Sequence, residues 1–292
     1  MTKKYDIEYI AGGSTQNSFR VAQWIIGKPK VFTFAGCIGK DHFGRVLEEQ
    51  ARAVGINTIY QIHETEKTGT CAACIVGQHR SLCAHLAAAN CFTKDHLLIP
   101  ENKTLMERAQ FYYIAGFVLT VSPESIQFIA QHAADNNKPF AMNLSAPFLS
   151  QFFKEPMLAA LPYVDILFGN ETEALAFAKE QNFGTEEMTE IALKIAGMDK
   201  VNSKRSRMVI ITQGGDPVII AQDGKIQKFP VSPLKPEEVV DTNGAGDAFV
   251  GGFLSQYIQG KSLDECIRCA NWTAKVIIGC SGCTYPAKCE YE

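Results

Sequence analysis

The segment Asp241-Thr242-Asn243-Gly244-Ala245-Gly246-Asp247-Ala248-Phe249 holds the most chemically suggestive spacing in the chain. It follows the apolar pair Val239-Val240 and opens a helical pattern of Phe249, Val250, Phe253, Leu254 and Tyr257. Glycines at a helix start allow a tight turn and leave backbone N–H groups pointing outward at the positive end of the helix dipole, where a phosphate is well held. No Gly-Lys-Ser/Thr follows, so this is not a P-loop. Phe249 stands where a dinucleotide fingerprint needs its third glycine. Asp247 would repel a bound phosphate unless it had a task. Taking a proton from an attacking hydroxyl is one such task, while the neighbouring N–H groups hold charge on the transferring phosphoryl. An acid that merely caps the helix explains the spacing equally well.

Three further loops bear on that choice. Ala11-Gly12-Gly13-Ser14-Thr15-Gln16-Asn17 opens an amphipathic helix, with Asn17 on its first turn offering a two-way amide suited to hydroxyls. Gly169-Asn170-Glu171-Thr172-Glu173 follows a strand, and the spacing of Asn170 and Glu173 puts them on one helical face, able to hold a hydrated Mg²⁺. Thr212-Gln213-Gly214-Gly215 also follows a strand. Each alone reads equally well as an ordinary turn. Together they describe a phosphate donor site, a metal and a hydroxyl-bearing acceptor, gathered at the carboxyl ends of strands as in open α/β sheets.

The elements that must position these loops alternate along the chain. Strands are expected at 31–38, 111–117, 139–144, 165–168 and 208–212, and helices at 41–54, from Ser122 as N-cap to 136, through 178, and at 262–278. That order predicts an α/β fold, a mostly parallel sheet flanked by helices. Two hairpins interrupt it: 57–64 with 69–77, joined at Thr65-Glu66-Lys67-Thr68, as a small flap, and 218–221 with 225–229 around Asp223-Gly224. There is no linker or repeat, so residues 1–292 are expected to form one domain, with 57–77 contributing the lid.

Composition sets the outer bounds. The 292 residues are 46% hydrophobic, enough for a large core, and the formal net charge of −3 speaks against a general nucleic-acid binder. No apolar run approaches the roughly 18 residues that span a bilayer, and the start does not read as a signal peptide. The ten cysteines read as reduced thiols of a cytoplasmic protein. Cys266-x-x-Cys269 and Cys280-x-x-Cys283 resemble a zinc spacing, but the helical pattern of 262–278 makes Cys266 and Cys269 small core residues instead.

The Gly12-Gly13-Ser14-Thr15-Gln16-Asn17-Ser18 loop, the Gly36-Cys37-Ile38-Gly39-Lys40-Asp41-His42-Phe43-Gly44 turn, Asn170-Glu171-Thr172-Glu173 and 241–247 together resemble the ribokinase-like (pfkB) kinases across essentially the whole chain. Thr70-Cys71-Ala72-Ala73-Cys74, Ser122-Pro123-Glu124-Ser125 and Asn143-Leu144-Ser145-Ala146-Pro147-Phe148 point to members that phosphorylate adenosine. The resemblance implies transfer of the ATP γ-phosphate to the adenosine 5′-hydroxyl, giving AMP and ADP in purine salvage. It implies Asp247 as base, with Gly244, Ala245 and Gly246 as the anion hole. Gly13 and Asn17 would bind the ribose, and Cys71, Leu82, Leu86, Phe117 and Phe148 would enclose the adenine. Arg80, Thr212, Gly214, Asn243 and Asn271 would meet ATP, and Asn170 and Glu173 would hold Mg²⁺ through its waters. It also implies a monomer without nucleic-acid or membrane partners, in the cytoplasm and also the nucleus.

Family members carry a strand with a ribose-binding aspartate ahead of the Gly-Gly loop, whereas Gly12 comes early here and Asp6 lies in another context. The expectation is therefore a fold incomplete at the N-terminus, with bare neighbouring sheet edges. Activity would be impaired, and the alternative is a non-catalytic or weakly active purine-binding form of the same fold.

Overall fold

The computed structural model describes residues 8–76, 79–232 and 234–291, with the side chains of 75–80 outside that description. Helix α1 (Ser14–Ile26) is followed by β1 (Thr33–Gly39), α2 (His42–Ala53) and β2 (Asn57–His63). Strands β3 (Thr70–Val76) and β4 (His79–His85) come next, then α3 (Lys94–Leu98) and α4 (Pro100–Arg108). The chain continues through β5 (Tyr112–Ala115), α5 (Pro123–Asp135), β6 (Phe140–Asn143), α6 (Pro147–Phe152) and α7 (Lys154–Ala160). It ends with β7 (Ile166–Asn170), α8 (Glu171–Glu180), α9 (Met188–Ala196), β8 (Met208–Gln213), β9 (Asp216–Gln222), β10 (Lys225–Phe229), α10 (Ala245–Tyr257) and α11 (Leu263–Ile278).

The main sheet runs β10-β9-β8-β7-β6-β5. Strands β5 to β8 are parallel, and the β9–β10 hairpin adds antiparallel to β8. Alternate residues sort onto the two faces, as a period of two requires. Tyr112, Ile114, Phe140, Met142, Leu167, Val209 and Ile211 join one core with Ile126, Leu149, Phe177 and Ile191 of the helices between the strands. Tyr113, Ala141, Ile166, Phe168, Met208 and Ile210 join a second with Phe249, Phe253 and Leu254 of α10 and Cys266 and Ile267 of α11.

Helix α10 lies between α1 and α11 at very short range because it carries two adjacent glycines. A Cβ at Gly251 would come within 2.5 Å of the Ser18 carbonyl, and one at Gly252 within 2.3 Å of Thr273 Oγ1. That approach brings the start of α1 to the start of α10.

The first hairpin differs from its sequence expectation. Strand β2 pairs in parallel with β1, whereas β3 pairs antiparallel with β4, Cys71 facing Ala84. The 65–68 segment is not a hairpin turn: Thr68 Oγ1 accepts the Gly39 N–H at 3.0 Å and donates to Asp41 Oδ1 at 2.7 Å. Those bonds hold the segment at the end of β1, and β1-α2-β2 forms a βαβ unit. Ser122 stands at the N-cap position of α5, but its hydroxyl meets Glu124 and Ser125 side chains rather than a backbone N–H.

Candidate active site

The carboxyl ends of β6, β7 and β8, the start of α1, the start of α10 and the β3–β4 hairpin surround an open cavity of about 1940 Å³. Gly13, Asn17, Cys71, Leu82, Leu86, Phe117 and Phe148 line it. So do Asn170, Glu173, Thr212, Gly214, Asn243, Gly244, Ala245, Gly246, Asp247 and Asn271. The structure thus brings together every site residue expected from the sequence except Arg80, whose side chain lies outside the described residues.

Gly244 caps α10 with φ +80°, a left-handed conformation, and a Cβ there would lie 3.0 Å from Cys283 Cβ. Both facts call for glycine. The Ala245 N–H is taken by the Thr242 carbonyl at 3.3 Å. The N–H groups of Gly244, Gly246 and Asp247 have no acceptor among the described residues, so these three are open to an anion, whereas that of Ala245 is engaged within the turn. Asp241 braces the turn, its carboxylate accepting the Asn243 N–H at 2.9 Å and the Gly282 N–H at 3.1 Å.

Asp247, on the first turn of α10, receives Ser14 Oγ at 2.7 Å on one oxygen and Asn17 Nδ2 at 2.9 Å on the other. Burial pushes its carboxyl up to about 6, against the pull of those two hydrogen bonds. A capping acid of α10 would accept backbone N–H groups of its own helix; Asp247 is held from across the site instead. Ser14 was not picked out from the sequence. Its spacing from Asn17 places both on one face of α1, the signal that was there to be read. Asn17 Oδ1 is buried and has no hydrogen-bond partner among the described residues.

Asn170 and Glu173 form a capping box at the start of α8. Asn170 Oδ1 accepts the Glu173 N–H at 2.9 Å, and Glu173 accepts the Asn170 N–H at 3.0 Å and Asn170 Nδ2 at 2.9 Å. Their spacing therefore has a structural use, the capping of α8. Burial raises the Glu173 carboxyl to about 7, offset by the Asn170 N–H and raised further by Glu171 and Asp247.

The opposite wall is apolar. Leu82, Leu86, Phe117 and Phe148 are each more than 40% exposed, an unusual state for large hydrophobes, and they are exposed into this cavity. The Phe117 and Phe148 ring centroids are 6.4 Å apart. On the far side Thr212 Oγ1 donates to the Gly169 carbonyl at 3.4 Å and Asn271 Nδ2 to the Pro230 carbonyl at 3.4 Å. Trp272 and Lys275 of α11 line that end as well, unforeseen from sequence.

The four cysteines with zinc-like spacing do not converge. Cys266 packs with Phe253 and Ile267, while Cys283 packs with Val21 and Ala248. Among the described residues no group of three or more His, Cys, Asp or Glu side chains is placed to hold a metal ion.

An acid at a helix start, free N–H groups beside it and a large cleft at the carboxyl edge of a parallel sheet define a phosphotransferase of the α/β kind. Residues 1–289 match the pfkB family carbohydrate kinases, and the chain belongs to that family. Its fold is the ribokinase-like α/β fold. The chain is 53% identical over 292 residues to adenosine kinase 2 of Arabidopsis thaliana, covering all of this chain and 85% of that protein. The structure of Anopheles gambiae adenosine kinase in complex with P1,P4-di(adenosine-5) tetraphosphate superposes with TM-score 0.97 at 52% identity, over 99% of this chain and 86% of that one. Schistosoma mansoni adenosine kinase with 2-fluoroadenosine gives TM-score 0.95 at 39% identity, over 98% and 84%. Nothing in these likenesses supports the non-catalytic reading.

Proposed function

We propose that this chain transfers the γ-phosphoryl group of ATP to the 5′-hydroxyl of adenosine, producing AMP and ADP. The observation that carries the reading is Asp247, a carboxylate held from both sides by α1, beside unpartnered N–H groups, in a cleft whose other wall is apolar and aromatic.

Each part then has a task. Asp247 takes the proton of the attacking hydroxyl, with its raised pKa near 6 suiting a base at neutral pH. The N–H groups of Gly244, Gly246 and Asp247 receive charge developing on the phosphoryl oxygens. Asn17 spends its amide N–H on Asp247, which leaves its orphaned Oδ1 to accept a ribose hydroxyl beside Gly13. Phe117, Phe148, Leu82, Leu86 and Cys71 supply a flat apolar slot for adenine. Thr212, Gly214, Asn243 and Asn271 lie along ATP, and the β3–β4 hairpin acts as a lid on the single domain.

Mg²⁺ accompanies the ATP. The residues present suit it: Glu173 is a buried carboxylate whose charge no cation among the described residues offsets. Asn170 and Glu173 already bond one another, so they would hold the ion through its waters. When bound, Mg²⁺ neutralises charge on the polyphosphate. Action as a monomer and residence in cytoplasm and nucleus belong to the same proposal.

The test is coupled ADP release at saturating MgATP with adenosine, ribose or fructose 6-phosphate as acceptor. Adenosine is expected to be turned over fastest, since only it has a base to bury. Faster turnover of either sugar would overturn the reading.

A further inference from the structure

Ser145 lies between β6 and α6 with φ +66°, a left-handed backbone that non-glycine residues adopt only when their surroundings hold them there. The surroundings are identifiable. Ser145 Oγ accepts the Gly116 N–H at 2.9 Å and donates to the Asn143 carbonyl at 3.3 Å. The Ser145 N–H is taken by Asn143 Oδ1 at 2.9 Å and also reaches the Glu173 carboxylate, a backbone contact that side-chain variants at 145 retain. The two loops meet so closely that a Cβ at Gly116 would lie 2.5 Å from the Asn143 carbonyl. Gly116 immediately precedes Phe117, and Ala146 is the N-cap of the helix that carries Phe148. Ser145 itself lines the cavity.

We propose that Ser145 is a specificity-determining positioning residue: its hydroxyl clamps the loop after β5 to the loop after β6, and so sets the gap between Phe117 and Phe148 that receives the base. The inference rests on the adenosine reading above. The physical logic is that neither aromatic ring is fixed by deep burial. Both are about two-fifths exposed, so their separation depends on the backbone beneath them. Beyond the last ladder pair of β5 and β6, Ala115 with Asn143, the two loops are joined through one hydroxyl, which accepts from Gly116 and donates back to the end of β6. Holding a slot at one width lets a planar base gain contact on both faces without first ordering the walls. A strained residue is kept where the strain serves that geometry, rather than a glycine that would adopt the turn freely and lose the bridge.

The test uses two variants that tolerate a positive φ but cannot make the Gly116 bond in the same way, Ser145→Gly and Ser145→Asn. KM for adenosine is expected to rise about tenfold in both, the loss of one partly buried hydrogen bond. KM for MgATP stays put and kcat moves much less than the adenosine KM. Preference for adenosine over an adenosine bearing a bulky N6 substituent falls, because a loosened gap admits the larger base. An adenosine KM within twofold of wild type in a folded variant overturns the inference. So does a parallel loss in kcat, MgATP affinity and melting temperature, which would mean Ser145 only holds the fold. If either variant fails to fold, the other carries the comparison, and collapse of both assigns Ser145 to stability and sinks the specificity role. A wild-type chain that ignores adenosine while phosphorylating a sugar defeats the proposed function first and the slot with it, an outcome seen before any variant is made.

Discussion

Strand β7 is flanked by two acids, Asp165 just before it and Glu173 on the first turn of α8 just after it, and the two are treated oppositely. At its start Asp165 is 4% exposed and surrounded by donors: Lys200, Arg205 and the Phe140 N–H. Beside it Arg207, 1% exposed, donates to the carbonyls of Leu161, Val164, Ile195, Met198 and Asp199. At the other end Glu173, 6% exposed, faces the cavity together with Asp247, and neither has a cationic partner among the described residues. Their carboxyls are pushed up to about 7 and about 6. Equal burial therefore gives opposite outcomes. A buried charge with built-in partners locks the fold because stripping away either side is costly, and one whose partners are left out is available to substrate, cation and proton.

The contrast breaks most sharply at Asp247. Asp247→Asn is expected to cut turnover by about 10²–10⁴-fold, the usual loss for a general base. Its melting temperature should hold or rise, because the variant no longer buries an unpaired charge, and nucleotide binding should survive. Calorimetry with ATP and a steady-state assay on the same sample decide it: near-normal turnover would return Asp247 to a structural role.

Asp165→Ala should do the reverse. It strands Lys200 and Arg205 without their partner, and losing one member of such a buried set costs about 3–5 kcal/mol. Denaturant unfolding should show that loss, while the protein still folded keeps its adenosine KM. A change in KM without a change in stability would erase the distinction between the two ends.

This division explains how much could be read from sequence alone. The apolar runs of β7 and β8 and the starts of α2 and α11 next to Asp41 and Ser262 act locally and fall where the pattern puts them, whereas the run expected as a strand over 111–117 is extended only at Tyr112–Ala115 and coils into a 3-10 turn from Gly116. Strand β4 opens on His79 and Arg80 and carries only the short alternation Leu82, Ala84 between Ser81, Cys83 and His85, so the sequence expectation pairs β3 with β2 in its place. A period of two identifies a strand but not its neighbour. The loops of the cleft announced themselves through glycine and amide types. What stayed hidden was who meets whom: Ser14 reaches Asp247 from the other end of the chain, because two glycines of α10 let the helices approach. Asn170 and Glu173 were legible as a pair, while their mutual capping needed coordinates.

A smaller effect is expected from pH. Glu173 is raised from the ordinary 4.5 to about 7, so between those values the folded chain holds a proton that the unfolded chain has lost. Stability must then fall as pH climbs through that window. Melting curves should show the decline in wild type and a shallower one in Glu173→Gln. A wild-type curve as flat as the variant's would mean that the carboxylate is already compensated.

Ser14→Ala should have the mildest consequence and the most diagnostic one. The Ser14 hydroxyl donates to Asp247 and so favours the ionised carboxylate, working against burial. Without it the Asp247 pKa moves further up. The rate rises with pH as Asp247 loses its proton, so the acid limb of kcat/KM, near 6 in wild type, should shift to higher pH. The plateau above that limb should drop by no more than about tenfold, the worth of one hydrogen bond to a charged group at the low end of its range. The variant should therefore lag wild type more at pH 6 than at pH 8. An unmoved limb with a lowered plateau would show that Ser14 aims the carboxylate and does not tune it. An unmoved limb with an unchanged plateau would leave Asn17 alone as the group that prepares Asp247.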